Sequence, residues 1–141
     1  MPVVAHGTQY VGLVLVSHSG AIATGLADLV GQVAGPEVPI VTAGGMPDGS
    51  LGTDGGRVLE VLRSAANGAG AGAVVLMDLG SSVLAVRAAL AELEPEELER
   101  IVVVDAPLVE GAVAAGVTAS TGAELDEVAE AAREALNVSK L

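Results

Sequence analysis

The stretch VGLVLVSHSGAIATGLADLV, residues 11–30, joins a continuous apolar run to a segment with helical spacing. The run ends at Ser17-His18-Ser19-Gly20, and apolar residues then recur at Ile22, Leu26 and Leu29. Apolar runs without alternation are typical of strands buried on both faces, which occur mainly in parallel sheets. The stretch therefore predicts a buried first strand that places a histidine just before a helix.

Three later segments repeat this pattern, at 38–43 (VPIVTA), 73–77 (AVVLM) and 101–104 (IVVV). Segments with helical periodicity follow the runs, around residues 22–33, 58–66, 82–93, 110–120 and 123–136. This alternation predicts an α/β fold, a flavodoxin-like doubly wound and mostly parallel sheet with helices on both faces. We divide the chain into a leader over 1–10, one domain over 11–137 and a tail over 138–141.

Composition narrows the classes of function. The 141 residues are 51% hydrophobic, which suits one compact domain, and a net charge of -12 with a single aromatic residue argues against nucleic-acid binding. No cysteine is present, so neither a disulfide framework nor a thiolate metal site is expected. The leader lacks the cationic start of a secretory signal, and no apolar run reaches the ~20 residues of a membrane span. We expect a cytoplasmic protein.

Polar residues follow the apolar runs at the predicted strand ends. His18 follows the first strand, Gly44-Gly45 the second, and Asp78 the third. Ligands of doubly wound sheets bind at the carboxyl ends of the strands, so these residues are expected to meet at one edge. There Asp78 would bond one imidazole nitrogen of His18 and leave the other free as base, metal ligand or nucleophile. The alternative role for Asp78 is to cap the helix that follows.

The same edge is rich in groups that bind phosphate. Backbone N–H groups in glycine turns and hydroxyls at a helix N-terminus stabilise anions. The candidates for phosphate binding are Ser19, Gly44, Gly45, Gly80, Ser81 and Ser82. Neither a G-x-x-x-x-G-K-[ST] nor a G-x-G-x-x-G motif occurs, and the only lysine is Lys140, so no nucleotide cofactor is expected. We also expect no metal, and transient phosphorylation of His18 becomes the leading hypothesis.

Four motifs occur in the order V-S-H-S (16–19), G-T-D (52–54), M-D-L-G-S (77–81) and A-P-L-V-E-G (106–111). Together with their flanks, which run from about Gly12 to Val128, they resemble the mannose-type EIIA domains of the bacterial phosphotransferase system. The resemblance implies a phosphotransferase with a phosphohistidine intermediate. It assigns the phosphoryl group to His18 and the orienting carboxylate to Asp78.

The resemblance also implies partners. The donor is phospho-HPr, and in the dihydroxyacetone branch of the family the acceptor is ADP held by the subunit DhaL, while DhaK holds dihydroxyacetone. Family members form homodimers, and the apolar segment 112–117 is loose support for a dimer here. Some relatives carry fused HPr-like and enzyme I-like domains. The leader is longer than the family usually has.

Other interpretations stay open from the sequence. The chain is alternatively a mannose-type EIIA of a sugar transport system or a regulatory module that reports phosphorylation. A more remote alternative is a small tetrapyrrole chelatase with His18 as metal ligand, for which the second histidine, His6, is poorly placed. We expect His6 to be solvated. The acidic cluster is expected to form a solvated surface: Glu92, Glu94, Glu96, Glu97 and Glu99.

Overall fold

The computed structural model describes residues 9–141 and contains one four-stranded sheet. Its strands are β1 (Gly12–Ser17), β2 (Ile40–Gly44), β3 (Ala73–Met77) and β4 (Ile101–Val103). All strand pairs are parallel and the order is β2-β1-β3-β4, so β1 lies between β2 and β3. The predicted flavodoxin-like sheet is confirmed. The leader falls mostly, and His6 entirely, outside the described residues.

Six α-helices connect and follow the strands. They are α1 (Gly20–Ala34), α2 (Gly55–Asn67), α3 (Ser81–Glu92), α4 (Pro95–Leu98), α5 (Leu108–Ala119) and α6 (Leu125–Glu134), and a short 3-10 helix spans Ala135–Asn137. The sequence did not predict α4, because four residues are too few for periodicity. Proline at its first position and a capping box between Glu94 and Glu97 start this turn. Within residues 9–141 no helix is long and apolar enough to cross a bilayer.

The sheet separates two apolar cores. Leu13 and Leu15 of β1 face the core formed with α1, α5 and α6, and Val14 and Val16 face the core formed with α2 and α3. All four side chains are fully buried. Because both faces of the strand are covered by helices, β1 has no polar face and its sequence reads as a continuous apolar run.

Small residues let the helices lie close to one another. A Cβ atom on Gly116 of α5 would lie 2.5 Å from Cγ1 of Val30 in α1. Ala112 and Ala115 of α5 are fully buried within this chain. Packing inside the protomer therefore explains only part of the apolar segment 112–117, because Val117 is 45% exposed. The homodimer stays a prediction that rests on family resemblance.

One member of the acidic cluster is not solvated. The Glu97 residue is 9% exposed, and its carboxylate accepts hydrogen bonds from Glu94 N, Asn67 Nδ2 and Arg63 Nε at 2.8, 2.7 and 3.2 Å. The bond from Glu94, followed by Asn67 and the charge of Arg63, lowers the pKa of Glu97 below its ordinary value. The predicted solvated surface is wrong at this position, where the carboxylate ties α4 to α2.

Candidate active site

His18 lies in the connection between β1 and α1, at the carboxyl edge of the sheet. Ser19 caps α1, because its hydroxyl accepts a hydrogen bond from Ile22 N at 3.2 Å. Glycine is required at Gly44, where a Cβ would lie 2.7 Å from Cβ of Ala23 and 2.9 Å from the carbonyl oxygen of Ser19. The end of β2 therefore presses against the start of α1. This contact fixes the position from which the His18 side chain projects.

Asp78 directly follows β3 and accepts four hydrogen bonds. Its Oδ1 lies 3.0 Å from Nδ1 of His18 and accepts from Leu79 N at 2.7 Å. Its Oδ2 accepts from the backbone N of His18 at 2.9 Å and from the Ser17 hydroxyl at 2.8 Å. The alternative role as a helix cap is wrong, because Gly80 occupies the N-cap position of α3 and no side chain caps that helix.

These contacts set the charge of Asp78. Partial burial raises the pKa of the Asp78 carboxyl, but the bonds from the backbone and ring of His18, from Ser17 and from Leu79 outweigh burial. Together they hold the pKa well below its usual range. Asp78 is therefore ionised at neutral pH and can only accept hydrogen bonds.

The ionised carboxylate determines which nitrogen of His18 carries the proton. Nδ1 must donate to Asp78, so in the neutral ring Nε2 presents a lone pair. Ser81 Oγ lies 2.6 Å from Nε2 and is the donor to it, and Ser82 Oγ lies 3.2 Å from Nδ1. The His18 side chain is 27% exposed, so Nε2 belongs to an open edge where another protein can reach it.

Backbone donors lie beside Nε2 at the start of α3. Gly80 has a φ of +48°, and a Cβ there would lie 4.0 Å from Nε2. Within residues 9–141, the N–H groups of Gly80 and Ser81 have no hydrogen-bond acceptor. The N–H of Gly45, in contrast, donates to the carbonyl oxygen of Ser17 at 3.1 Å. Of these three donors, the two that stay open for an anion are those that precede and begin α3.

The structure brings some of the predicted phosphate-binding residues together and gives others a different contact. Gly80, Ser81 and Ser82 surround the His18 ring. The Gly45 N–H is already bonded and is not open to a phosphate, whereas the Ser19 hydroxyl accepts from Ile22 N and still has its own hydrogen to donate. Gly44 has a packing reason to be glycine. Phosphate binding by any of these residues stays a prediction.

Two residues of the site were not predicted. Ser17 donates a hydrogen bond to Asp78 and accepts one from Ser19 N at 3.1 Å. The sequence feature that could have indicated this role is a serine at the end of an otherwise apolar strand. Thr53 Oγ1 lies 3.0 Å from Ser81 Oγ and 3.1 Å from Ser82 Oγ. The G-T-D motif contains this threonine, but its spacing from His18 along the chain indicated no contact.

A histidine oriented by a carboxylate, with backbone donors next to its free nitrogen, is suited to carry an anionic group. Residues 12–129 match the family described as PTS system fructose IIA component, EIIA-man. The chain therefore belongs to this phosphotransferase family, as the motifs predicted. The match also favours a phosphotransfer domain over the chelatase alternative.

The relatives define a narrower group. The chain is 38% identical over 133 residues to the PEP-dependent dihydroxyacetone kinase, phosphoryl donor subunit DhaM, of Providencia stuartii, with 92% of this chain and 28% of that protein covered. It is 37% identical over 107 residues to the PEP-dependent dihydroxyacetone kinase 2, phosphoryl donor subunit DhaM, of Listeria innocua. This similarity covers 76% of this chain and 84% of that protein. This chain thus spans little more than a quarter of the Providencia relative.

A solved structure shares the fold. The crystal structure of unknown function protein EF1359 is 33% identical to this chain and superposes with a TM-score of 0.77. The similarity covers 89% of this chain and 94% of that one. The described fold is thus that of a known domain, matched over nearly its whole length.

Proposed function

We propose that this chain is the phosphoryl carrier of a phosphoenolpyruvate-dependent dihydroxyacetone kinase. It accepts a phosphoryl group from phospho-HPr on His18 and transfers it to ADP bound by DhaL, with DhaK holding dihydroxyacetone. The relatives described as phosphoryl donor subunits support this role. The observation that carries it is the bond between Asp78 Oδ1 and His18 Nδ1, which leaves Nε2 as a nucleophile at the open sheet edge.

The tautomer indicates Nε2 as the nitrogen that is phosphorylated. Its lone pair attacks phosphorus in line, the bond between phosphorus and the donor imidazole breaks, and that electron pair returns to the donor nitrogen. No proton has to leave His18. Nδ1 keeps its hydrogen and its bond to Asp78, whose negative charge stabilises the electron-poor phosphorylated ring. In the second transfer an oxygen of ADP attacks, and the electron pair of the breaking bond returns to Nε2.

The start of α3 supplies the groups that hold the phosphoryl oxygens in this proposal. The Ser81 hydroxyl lies 2.6 Å from Nε2, and the N–H groups of Gly80 and Ser81 precede and begin the same 12-residue helix, at its positive end. Positioning and electrostatics of this kind are sufficient for a loose phosphoryl-transfer transition state. The proposal assigns no metal and no cofactor to this chain. It includes a homodimer and a cytoplasmic location, where donor and acceptor reach the same histidine.

Phosphate uptake tests the first transfer. The protein is incubated with phosphoenolpyruvate, enzyme I and HPr, and intact mass spectrometry is expected to show one phosphoryl group that is lost in acid. His18→Ala should abolish uptake, whereas His6→Ala, which removes the other histidine, should leave uptake unchanged. Uptake by His18→Ala at the wild-type rate would show that His18 is not the phosphorylated residue.

Discharge of the phosphorylated chain tests the second transfer and separates the alternatives. With DhaL, ADP, DhaK and dihydroxyacetone present, we expect loss of the phosphoryl group and formation of dihydroxyacetone phosphate. A sugar-transport EIIA or a regulatory module would be phosphorylated by HPr but would keep its phosphate under these conditions. That result would refute the kinase role while leaving the phosphohistidine intact.

A further inference from the structure

The G-T-D segment is fastened to the active site by its backbone. Gly52 N donates to the carbonyl oxygen of His18 at 2.9 Å, Thr53 forms a parallel bridge with Gly45, and Asp54 caps α2. Gly52 has a φ of +141°, a conformation that residues with a Cβ rarely adopt. Thr53 is therefore held between two anchored neighbours, so the position of its side chain over the start of α3 is built into the loop.

The Thr53 hydroxyl completes a ring of hydrogen bonds with the imidazole. It lies 3.0 Å from Ser81 Oγ and 3.1 Å from Ser82 Oγ. The two serines lie 2.6 Å from Nε2 and 3.2 Å from Nδ1 of His18, respectively. Ser82 is fully buried and Thr53 is half-buried, so water has little access to the hydrogen bond between these two hydroxyls.

The charge of Asp78 determines which atom is the donor in each hydrogen bond of this ring of hydrogen bonds. Because Nδ1 keeps its hydrogen, Nε2 accepts from the Ser81 hydroxyl. The oxygen of Ser81 then accepts from Thr53, and the oxygen of Thr53 accepts from Ser82. The remaining lone pairs of Ser82 face the Nδ1–H group, which closes the ring. In this arrangement each hydroxyl donates once to the next member, and no two hydrogens oppose each other.

We propose that Thr53 is a positioning residue for phosphoryl transfer, which keeps the Ser81 hydroxyl directed first at Nε2 and, after transfer, at a phosphoryl oxygen. This inference rests on the proposed function. When phosphorus bonds to Nε2, that nitrogen loses its lone pair and Ser81 needs a new acceptor. As long as Thr53 donates to Ser81 Oγ, the Ser81 hydrogen points away from Thr53 and towards the incoming group.

Loss of the Thr53 hydroxyl has a second consequence, at Ser82. The buried Ser82 hydroxyl would lose its acceptor, and Nδ1 of His18, at 3.2 Å, carries the hydrogen that Asp78 accepts. Without Thr53 the Ser82 hydrogen can turn towards Nδ1 and oppose the Nδ1–H group. This opposition weakens the hydrogen bond from Nδ1 to Asp78, and with it the stabilisation of the phosphorylated imidazole.

Two substitutions separate the hydroxyl from the shape of the side chain. Thr53→Val keeps the branched shape without the hydroxyl, and Thr53→Ser keeps the hydroxyl. We expect Thr53→Val to lower the rate of phosphate uptake from phospho-HPr about tenfold, the equivalent of one or two neutral hydrogen bonds, and Thr53→Ser to stay within about twofold of wild type. Thr118→Val is the matched control, because α5 runs away from the site and Thr118 lies near its end.

The hydrogen bond from Nδ1 to Asp78 is measured independently of transfer. NMR of isotope-labelled histidine in the unphosphorylated protein should show the proton of neutral His18 on Nδ1 in every variant, with the same Nδ1–H proton shift in wild type, Thr53→Ser and Thr118→Val. In Thr53→Val this resonance should move upfield, because the hydrogen bond to Asp78 is weaker. A merely structural role of Thr53 would not move the resonance of a folded variant.

Three outcomes would overturn the inference. One is a Thr53→Val variant with wild-type uptake and a wild-type Nδ1–H resonance, and another is a Thr53→Ser variant as slow as Thr53→Val. The third is a wild-type chain that takes up no phosphate, which refutes the proposed function itself and removes the transfer role of Thr53 with it. In that case the NMR spectra still report whether the hydrogen-bond ring exists, so the two failures are distinguishable.

Discussion

Replacing Asp78 by asparagine keeps the size of the side chain but places an amide nitrogen where one carboxylate oxygen was. Each oxygen now accepts two hydrogen bonds, Oδ1 from Nδ1 of His18 and Leu79 N, and Oδ2 from His18 N and Ser17 Oγ. His18 can change its tautomer and Ser17 can rotate, but the two backbone N–H groups cannot become acceptors. In either orientation of the amide, at least one backbone donor therefore loses its partner.

The expected loss of stability in Asp78→Asn follows from these contacts. One partly buried donor without a partner costs about 1–3 kcal/mol, and we expect Asp78→Asn to destabilise the fold by about 2 kcal/mol at pH 7. The phosphorylated ring also loses the negative charge that stabilises it. With the wrong tautomer favoured as well, uptake from phospho-HPr should fall about a hundredfold or more.

The pH dependence provides a second readout. Because the pKa of Asp78 is lowered in the folded chain, its contribution to stability is fully present above the ordinary aspartate pKa of about 3.9. It is lost as the pH falls towards the lower pKa of the folded state. Asparagine does not titrate, so the difference in unfolding free energy between wild type and Asp78→Asn should be constant near neutral pH and shrink below about pH 4.

Denaturant unfolding at pH 7 and pH 3 and uptake assays at pH 7 test this. Asp28→Asn is the matched control, because it makes the same charge change at an exposed position of α1. An Asp78→Asn variant with wild-type uptake would refute the role of the carboxylate in transfer. A stability difference that does not change between the two pH values would show that the ionised form of Asp78 is not what the fold stabilises.

Three further substitutions test the packing and the site. Gly116→Ala should destabilise the fold by about 1–3 kcal/mol, since its Cβ would lie 2.5 Å from Val30 Cγ1, whereas Gly25→Ala, with open space around it, should stabilise α1 by about 0.5–1 kcal/mol. Equal midpoints of denaturation for Gly116→Ala, Gly25→Ala and wild type would contradict these two expectations. Ser81→Ala removes the hydroxyl beside Nε2 and should slow uptake about tenfold, with the denaturation midpoint little changed. An unchanged uptake rate would leave the hydroxyl without a role in transfer.

The sequence predicted the sheet well because its signal is local. Each strand of the sheet is a short apolar run between polar turns, and β3 begins and ends where the run 73–77 does. The pairing of His18 with Asp78 was also predictable, because both residues directly follow strands that are neighbours in a flavodoxin-like sheet. The reasoning failed at α4, which is a single turn held by its caps.

The missed contacts have a common cause. Thr53 precedes Ser81 by 28 residues, and only the course of the loop after β2 brings their hydroxyls together. Glu97 belongs to a run of acidic residues, and nothing in that run indicates which carboxylate meets Arg63 and Asn67 of α2. Gly45 resembled an anion-binding turn, but its N–H bonds to Ser17. In each case a partner distant in sequence decides the role.

The exposure of His18 also determines whether donor and acceptor can bind at the same time. Its reactive nitrogen lies on an open edge beside Ser81, and a protein that covers this edge also covers Nε2. Under the proposed function, donor and acceptor must therefore visit in turn, and each excludes the other while it is bound. An HPr variant whose phosphorylated histidine is replaced by alanine should then slow discharge to ADP as a competitor, because it covers the edge but can neither gain nor lose a phosphoryl group.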